Sequence, residues 1–358
     1  MGKVLCNALP ASSTGAGISR YAFELAYHLA KLSDQVHIVI SPEYKKYFPQ
    51  SGCTYYFNRA PSTTTRILFD QFFLPFTFAP FSLVHYLDLA KPLFSRKPTI
   101  LTLHDLCHLR DPHLFTLTQR FWRIFIGAHS LRRAARVICV SEFTKNEARE
   151  ILKIPEDKLR VVHSGIRPMA GLQAKAHHAS LKEPYILFVG TLIPRKNVIR
   201  LIQAFSCLKK ENLKYKLIIA GRKGRVSRAF WNEIQGLDLH EVIFTGHVSD
   251  SQLAGLYKNA SALVFPSLYE GFGFPALEAM TYGTPVVVSN VSALPEICGD
   301  AAYYVDPLEV EDLAQGIYQV LSDQDLRETL IQKGFERVKL FSWEKTAQET
   351  LKIYEELL

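Results

Sequence analysis

Apolar runs of about five residues recur along the chain, separated by longer segments in which apolar positions return every three or four residues. In the first half the runs are VLCNAL, VHIVI, LVHYL, TILTLHD and RVICVS. In the second half they are YILFVG, KLIIAG, VIFTG, ALVFPS and PVVVSN. Unbroken runs of this length suit strands buried on both faces, and the 3.6-residue period between them suits helices that cover a parallel sheet. The clearest helical segments of the first half are ISRYAFELAYHLAKL at 18–32 and EFTKNEAREILK at 142–153. Two successive strand–helix series predict an α/β chain of two doubly wound domains. The small, polar, proline-bounded stretch RPMAGLQAKAHHASLKEP at 167–184 reads as the linker. Two such domains would leave a cleft facing the carboxyl ends of both sheets, where open α/β sheets take their ligands.

Composition agrees with this picture. With 358 residues and 48% apolar content, the chain can bury two cores. Its six cysteines are scattered, with no C-x-x-C and no close Cys/His cluster, which predicts neither a disulfide framework nor a structural zinc and makes a reducing cytoplasm the natural setting. MGKVLCNALPASSTG lacks the apolar core of a signal peptide. FFLPFTFAPFSLVHYL at 72–87 is short for a bilayer span and carries two prolines and a histidine, so no transmembrane helix is predicted. That stretch reads as aromatic core, with an acceptor-binding or membrane-touching surface as the alternative.

Charge changes the picture more. Residues 1–165 hold 21 Lys/Arg against 12 Asp/Glu, whereas residues 166–358 hold 21 against 22. The basic excess is densest in TQRFWRIFIGAHSLRRAARV at 118–137, where Arg120, Arg123, Arg132, Arg133 and Arg136 alternate with apolar residues at roughly helical spacing. This is either a helix with a solvated basic face or a face that meets anionic lipid or nucleic acid.

Candidate chemistry gathers in four places. SSTGAGISRY puts Gly15 and Gly17 before a helix starting near Ile18, a phosphate-cradle arrangement that lacks the full dinucleotide fingerprint. TLIPRKN sets Arg195 and Lys196 at a helix start, where cations are unusual unless they meet an anion such as a diphosphate. TLHDL ends a strand with His104 and Asp105 at the carboxyl edge, and HSGI at 163–166 adds a tight glycine turn before the linker. In YEGFGFPALE at 269–278, Glu270 precedes and Glu278 falls within the first turn of a helix opened by Pro275, with Gly271 and Gly273 between them. Carboxylates and exposed amides together suit a neutral, hydroxyl-rich ligand, although a plain capped helix accounts for one glutamate equally well. DQD at 323–325 sits at a helix start and reads as capping rather than as a metal site, and no metal is predicted.

FVGTLIPRKN, IAGRKG, FTGHVSD and FPSLYEGFGFPALEAMTYGTPVVVSNVSALPEICGDAAYYVDP together resemble the retaining glycosyltransferases of family 4, the group 1 transferases. The resemblance covers nearly the whole chain and implies the GT-B fold: two doubly wound Rossmann-like domains facing a central cleft. It implies an N-terminal acceptor-side domain at 1–166, a linker at 167–183, a nucleotide-sugar-binding domain at 184–338, and a terminal segment, 339–358, that crosses back near FSWE. Two departures are a Gly-Ala-Gly first loop and an arginine directly beside the lysine.

The resemblance further implies roles. Arg195 and Lys196 would bind the donor diphosphate, with Gly15 and Gly17 offering amides to the same phosphates. Glu270 would accept from donor-sugar hydroxyls beside Phe272, Gly273 and Phe274. Glu278 would bind ribose next to Leu277, and Gly246, His247 and Val248 would edge the base. His104 would contact the transferred sugar, and Glu270, His104, Arg195 and Lys196 would carry catalysis. Arg120, Arg123, Arg132 and Arg133 would lie on the acceptor or membrane side.

The expected reaction is transfer of a hexose, mannose from GDP-mannose, to a glycan or lipid-linked glycan in surface polysaccharide or lipopolysaccharide synthesis, because PRKN and SNVSALPE look most like bacterial mannosyl- or rhamnosyltransferases. No cofactor beyond the nucleotide sugar and no nucleic-acid partner is expected, and peripheral contact with the cytoplasmic membrane is. The alternatives are a UDP-sugar or dTDP-rhamnose donor, a GT-B epimerase or phosphorylase, and a non-catalytic nucleotide-sugar-binding subunit.

Overall fold

In a computed structural model, residues 2–10, 17–48, 55–57, 80–89, 97–110, 112, 115, 120–167, 183–208, 214–224 and 226–358 are described. Gly15, residues 72–79 of the aromatic stretch and most of the linker lie outside them. The chain divides into two compact units, one of Met1–Gly165 with Phe341–Leu358 and one of Ile166–Leu340.

The first unit is built on a seven-stranded parallel sheet in the order β3-β2-β1-β4-β5-β6-β7. Its strands are β1 (Val4–Asn7), β2 (Val36–Ile40), β3 (Tyr55–Phe57), β4 (Leu83–Tyr86), β5 (Thr99–Leu103), β6 (Arg136–Cys139) and β7 (Leu159–Val161). Four of the central strands are buried at every position, as unbroken apolar runs require in a sheet covered on both faces. Helix α1 (Ile18–Leu32) buries Tyr21, Leu25 and Leu29, one per turn, and α2 (Glu142–Glu150) is capped by Ser141, whose side chain accepts from Thr144 N–H.

The second unit has a six-stranded parallel sheet in the order β10-β9-β8-β11-β12-β13. These strands are β8 (Tyr185–Val189), β9 (Lys216–Ala220), β10 (Val242–Gly246), β11 (Ala262–Phe265), β12 (Val286–Ser289) and β13 (Tyr303–Val305). Its helices include α3 (Val198–Leu208), α4 (Arg228–Gln235), α5 (Asp250–Asn259), α6 (Phe274–Thr281), α7 (Val310–Ser322) and α8 (Gln324–Val338). Asp323 of the DQD segment caps α8, accepting from Leu326 N–H at 2.9 Å. In both sheets the strand order reverses beside the first strand, between β1 and β4 and between β8 and β11. That switch point opens a crevice at the carboxyl ends of the strands.

The terminal helix α9 (Trp343–Glu355) belongs to the first unit and packs on α1. Tyr354 Oη bonds His85 Nδ1 at 2.7 Å, and Arg136 and Arg160 both pair with Glu356. A Cβ on Gly165 would sit 2.2 Å from the Trp343 amide nitrogen, so this glycine serves a close approach of two chain segments and not the tight turn expected of HSGI.

The basic stretch departs from a single helix. A π-helical turn at Trp122–Gly127 leads into a short helix, Ala128–Arg133, and Arg136 already opens β6. Arg132 Nε donates to the Leu152 carbonyl at 3.0 Å, so Arg132 and Arg136 are tied into the unit. Phe121 and Phe125 lie together, ring centroids 5.2 Å apart, and are 59% and 62% exposed. Among the described residues no helix is long and apolar enough to cross a membrane.

Candidate functional site

The switch point of the second sheet brings together segments 74 residues apart. After β8, Gly190 lies under the stem of Lys196, whose Cδ stands 3.6 Å from the place a Cβ would take there. A 3-10 turn, Pro194–Lys196, then ends at Asn197, which is buried and left-handed at φ 58°. Asn197 Nδ2 donates to the Pro307 carbonyl at 2.6 Å and its Oδ1 accepts from Arg200. The turn thus holds Arg195 and Lys196 out at the start of α3.

After β11, the LYEGFG loop delivers Glu270 to both cations. Lys196 Nζ donates to Glu270 Oε1, Arg195 Nη1 lies 3.2 Å from Oε2, and all three side chains are at most 14% exposed. Arg195 Nη1 also donates to the Tyr269 carbonyl at 2.6 Å, and Lys196 Nζ stands 4.6 Å from the Phe265 ring centroid. Burial alone would raise the Glu270 pKa. The charges of Lys196 and Arg195 outweigh burial and hold it below the ordinary carboxylate range. Two cations on one carboxylate leave the buried cluster with a net positive charge, which favours an incoming anion.

Glu278 is set differently. Gly273, left-handed at φ 114°, is the N-cap of α6, so the helix starts at Phe274 and Glu278 falls in its second turn rather than the first. There Tyr257 Oη, from α5, donates to Glu278 Oε2 at 2.8 Å, and the Tyr257 ring stacks on Tyr282. In the first turn of α6 Pro275 has no N–H and Ala276 N–H donates to the Gly273 carbonyl at 3.1 Å, and Phe272 and Phe274 pack ring to ring beside this helix start at 4.9 Å. Leu277 is fully buried in the core. Gly246, left-handed at φ 69°, ends β10 and accepts from Gly221 N–H at 2.9 Å, while the adjacent His247 is exposed and bonds Arg222.

In the first unit, Gly17 is the N-cap of α1 with φ 58°, and one turn later Tyr21 meets the His104 ring edge-on at 4.6 Å. His104 follows β5 and its Nε2 donates to the Leu87 carbonyl, beyond β4, at 3.2 Å. Burial, reinforced by Arg123, lowers its pKa against the opposing pull of Asp88, the Leu87 carbonyl and Asp105. Gly17 and His104 therefore share one neighbourhood at the carboxyl edge of the first sheet.

With this geometry in place, the comparisons are specific. A model described as glycosyl transferases group 1 matches residues 172–337, and one described as glycosyltransferase family 4 matches residues 15–169. The uncharacterized glycosyltransferase MJ1178 of Methanocaldococcus jannaschii is 30% identical, over 73% of this chain and 69% of its own. The chain belongs to the family 4, group 1 glycosyltransferases. Its fold is GT-B, matching sucrose-phosphate synthase from Thermosynechococcus elongatus with a TM-score of 0.78 over 99% of both chains at 24% identity. The O-antigen chain mannosyltransferase B of Escherichia coli is 35% identical over 63% of this family member. The matched region spans 61% of that relative's length.

Three side chains around the site escaped the sequence reading: Tyr257, Asn197 and Ser292. Tyr257 reads as an ordinary apolar position of an amphipathic helix. Asn197 had a signal in its place between a turn and a helix, because asparagine tolerates the left-handed region. Ser292 had none.

Proposed function

We propose that this chain is a retaining, metal-independent hexosyltransferase that moves mannose from GDP-mannose to a glycan or lipid-linked glycan acceptor of surface polysaccharide. The observation that carries the proposal is the buried Arg195–Lys196–Glu270 cluster at the switch point of the second sheet. A diphosphate entering this cluster satisfies the two cations and releases Glu270 to accept from sugar hydroxyls. As the sugar–phosphate bond breaks, negative charge grows on the departing nucleotide, where the fixed charges of Arg195 and Lys196 stabilise it without reorganising. Glu278, held by Tyr257, is the proposed ribose acceptor. His104, kept neutral by burial, is the proposed contact to the transferred sugar, and the Gly17 amide a proposed phosphate donor.

Mannose as the sugar is supported by the similarity to an O-antigen chain mannosyltransferase. Membrane contact is supported by the exposed Phe121–Phe125 pair flanked by Arg120, Arg123 and Arg133. The test is turnover of GDP-mannose in chelator-treated buffer on vesicles carrying a glycan-lipid acceptor, with the new linkage assigned by NMR. An α-linked mannoside formed without metal is expected. A β-linked product, or a requirement for divalent metal, would overturn the proposal.

A further inference from the structure

The Glu270 peptide is gripped on both sides by the segment that follows β12. Its N–H donates to Ser292 Oγ at 3.0 Å, and its carbonyl accepts from Ala293 N–H at 3.3 Å. To make both contacts, Ser292 adopts φ 59°, in the left-handed region that side chains other than glycine and asparagine rarely enter. Among the described residues four non-glycine residues have positive φ: Lys153, Asn197, Glu241 and Ser292. Two of the four flank the ionic cluster, Asn197 behind the cations and Ser292 behind the carboxylate. Backbone strain persists only where surrounding contacts over-determine it. The same segment shapes the start of α6, since Leu294 Cδ2 would lie 2.7 Å from a Cβ on Gly273.

We infer that Ser292 is a positioning residue for recognition of the sugar half of the donor. It acts through the Glu270 peptide, fixing where the carboxylate stands. Lys196 has supports of its own, the Asn197 turn after β8 and the Phe265 ring, whereas Arg195 also bonds the Tyr269 carbonyl of the peptide that Ser292 holds. Loss of the Ser292 hydroxyl therefore weakens recognition of the sugar more than that of the nucleoside diphosphate. The inference rests on the proposed role of Glu270 as acceptor for sugar hydroxyls.

The experiment is calorimetric titration of GDP-mannose against GDP, and of UDP-glucose against UDP, into wild type, Ser292→Gly, Ser292→Ala and Glu270→Gln, with melting temperatures in parallel. The ratio of affinities for nucleotide sugar and bare nucleotide is the readout, because it cancels any loss of folded protein. Leaving the buried Glu270 amide without its acceptor is expected to lower nucleotide-sugar affinity about fivefold to thirtyfold in both serine variants, with nucleotide affinity falling by less than about threefold. Ser292→Ala, forced to keep a positive φ, melts below Ser292→Gly. If Ser292→Gly keeps the wild-type ratio while Glu270→Gln loses it, the inference fails and the Glu270 role stands. An unchanged ratio in Glu270→Gln, or wild type that binds neither nucleotide pair, overturns the Glu270 reading and the inference with it.

Discussion

Lys196 combines three interactions at one side chain: its stem over Gly190, its ammonium against the Phe265 ring, and its charge on Glu270. Removing one partner of a buried ion pair costs about 3–5 kcal/mol when the other is left unpaired, and less here, where Glu270 keeps Arg195. Lys196→Met, close in volume, should therefore lower the melting temperature. The double variant Lys196→Met/Glu270→Gln then leaves Arg195 without its carboxylate and should melt lower again, with nucleotide binding lost in both. Equal stability of the single and double variants would show that Arg195 and Glu270 are not coupled. Because Glu270 titrates below the ordinary carboxylate range when folded, its stabilising contribution is whole above that range and is lost as pH falls through the lowered folded value. Much of this cluster was legible in the sequence, since adjacent cations at a helix start are anomalous and ask for an anion. That Glu270 itself is an anion they meet was not legible, because it depends on the loop after β11 folding back over the turn after β8.

Among the elements, the terminal helix shows what buried polar contacts cost. His85 lies at the centre of the first sheet, bonded to Tyr354 on one nitrogen and to Thr102 on the other. Burial, helped by the nearby His104, drives its pKa down from 6.5 to about 3. The unfolded chain binds a proton in that window and the folded chain does not, so this stability is complete above pH 6.5 and drains away as pH falls toward 3. A melting series from pH 7 to pH 4 should thus decline more steeply for wild type than for His85→Gln, and parallel curves would contradict the assignment. In the second unit, Tyr257→Phe removes the hydrogen bond that aims Glu278. It should weaken GDP binding about threefold to tenfold with the fold intact, measurable by calorimetry.

The long strands and amphipathic helices could be read from the pattern of apolar positions. The three-residue strands β3, β7 and β13 could not, because so short a run carries no period. The start of α6 was displaced because Gly273 caps from a left-handed conformation that Pro275 does not announce.

At the scale of the molecule, charge and exposed apolar surface coincide. The Lys/Arg surplus lies in residues 1–165, and the described residues there expose Phe121 and Phe125 beside arginines. Flotation with phosphatidylglycerol vesicles should recover the protein at low salt. Phe121→Ser/Phe125→Ser should weaken that binding at least about tenfold through lost apolar burial, whereas Arg132→Gln should act mainly on stability, since Arg132 is spent on the Leu152 carbonyl. Vesicle binding unchanged in the phenylalanine variant would move the membrane face elsewhere.

The central claim is that the second unit holds a nucleotide sugar by its diphosphate and ribose. The most direct test is calorimetric titration of GDP-mannose into metal-free wild type and Glu278→Ala. Saturable binding to wild type, weakened at least about tenfold in the variant by loss of a charged acceptor, is the predicted result. Binding of equal strength in both, or none to wild type at millimolar GDP-mannose, would contradict it.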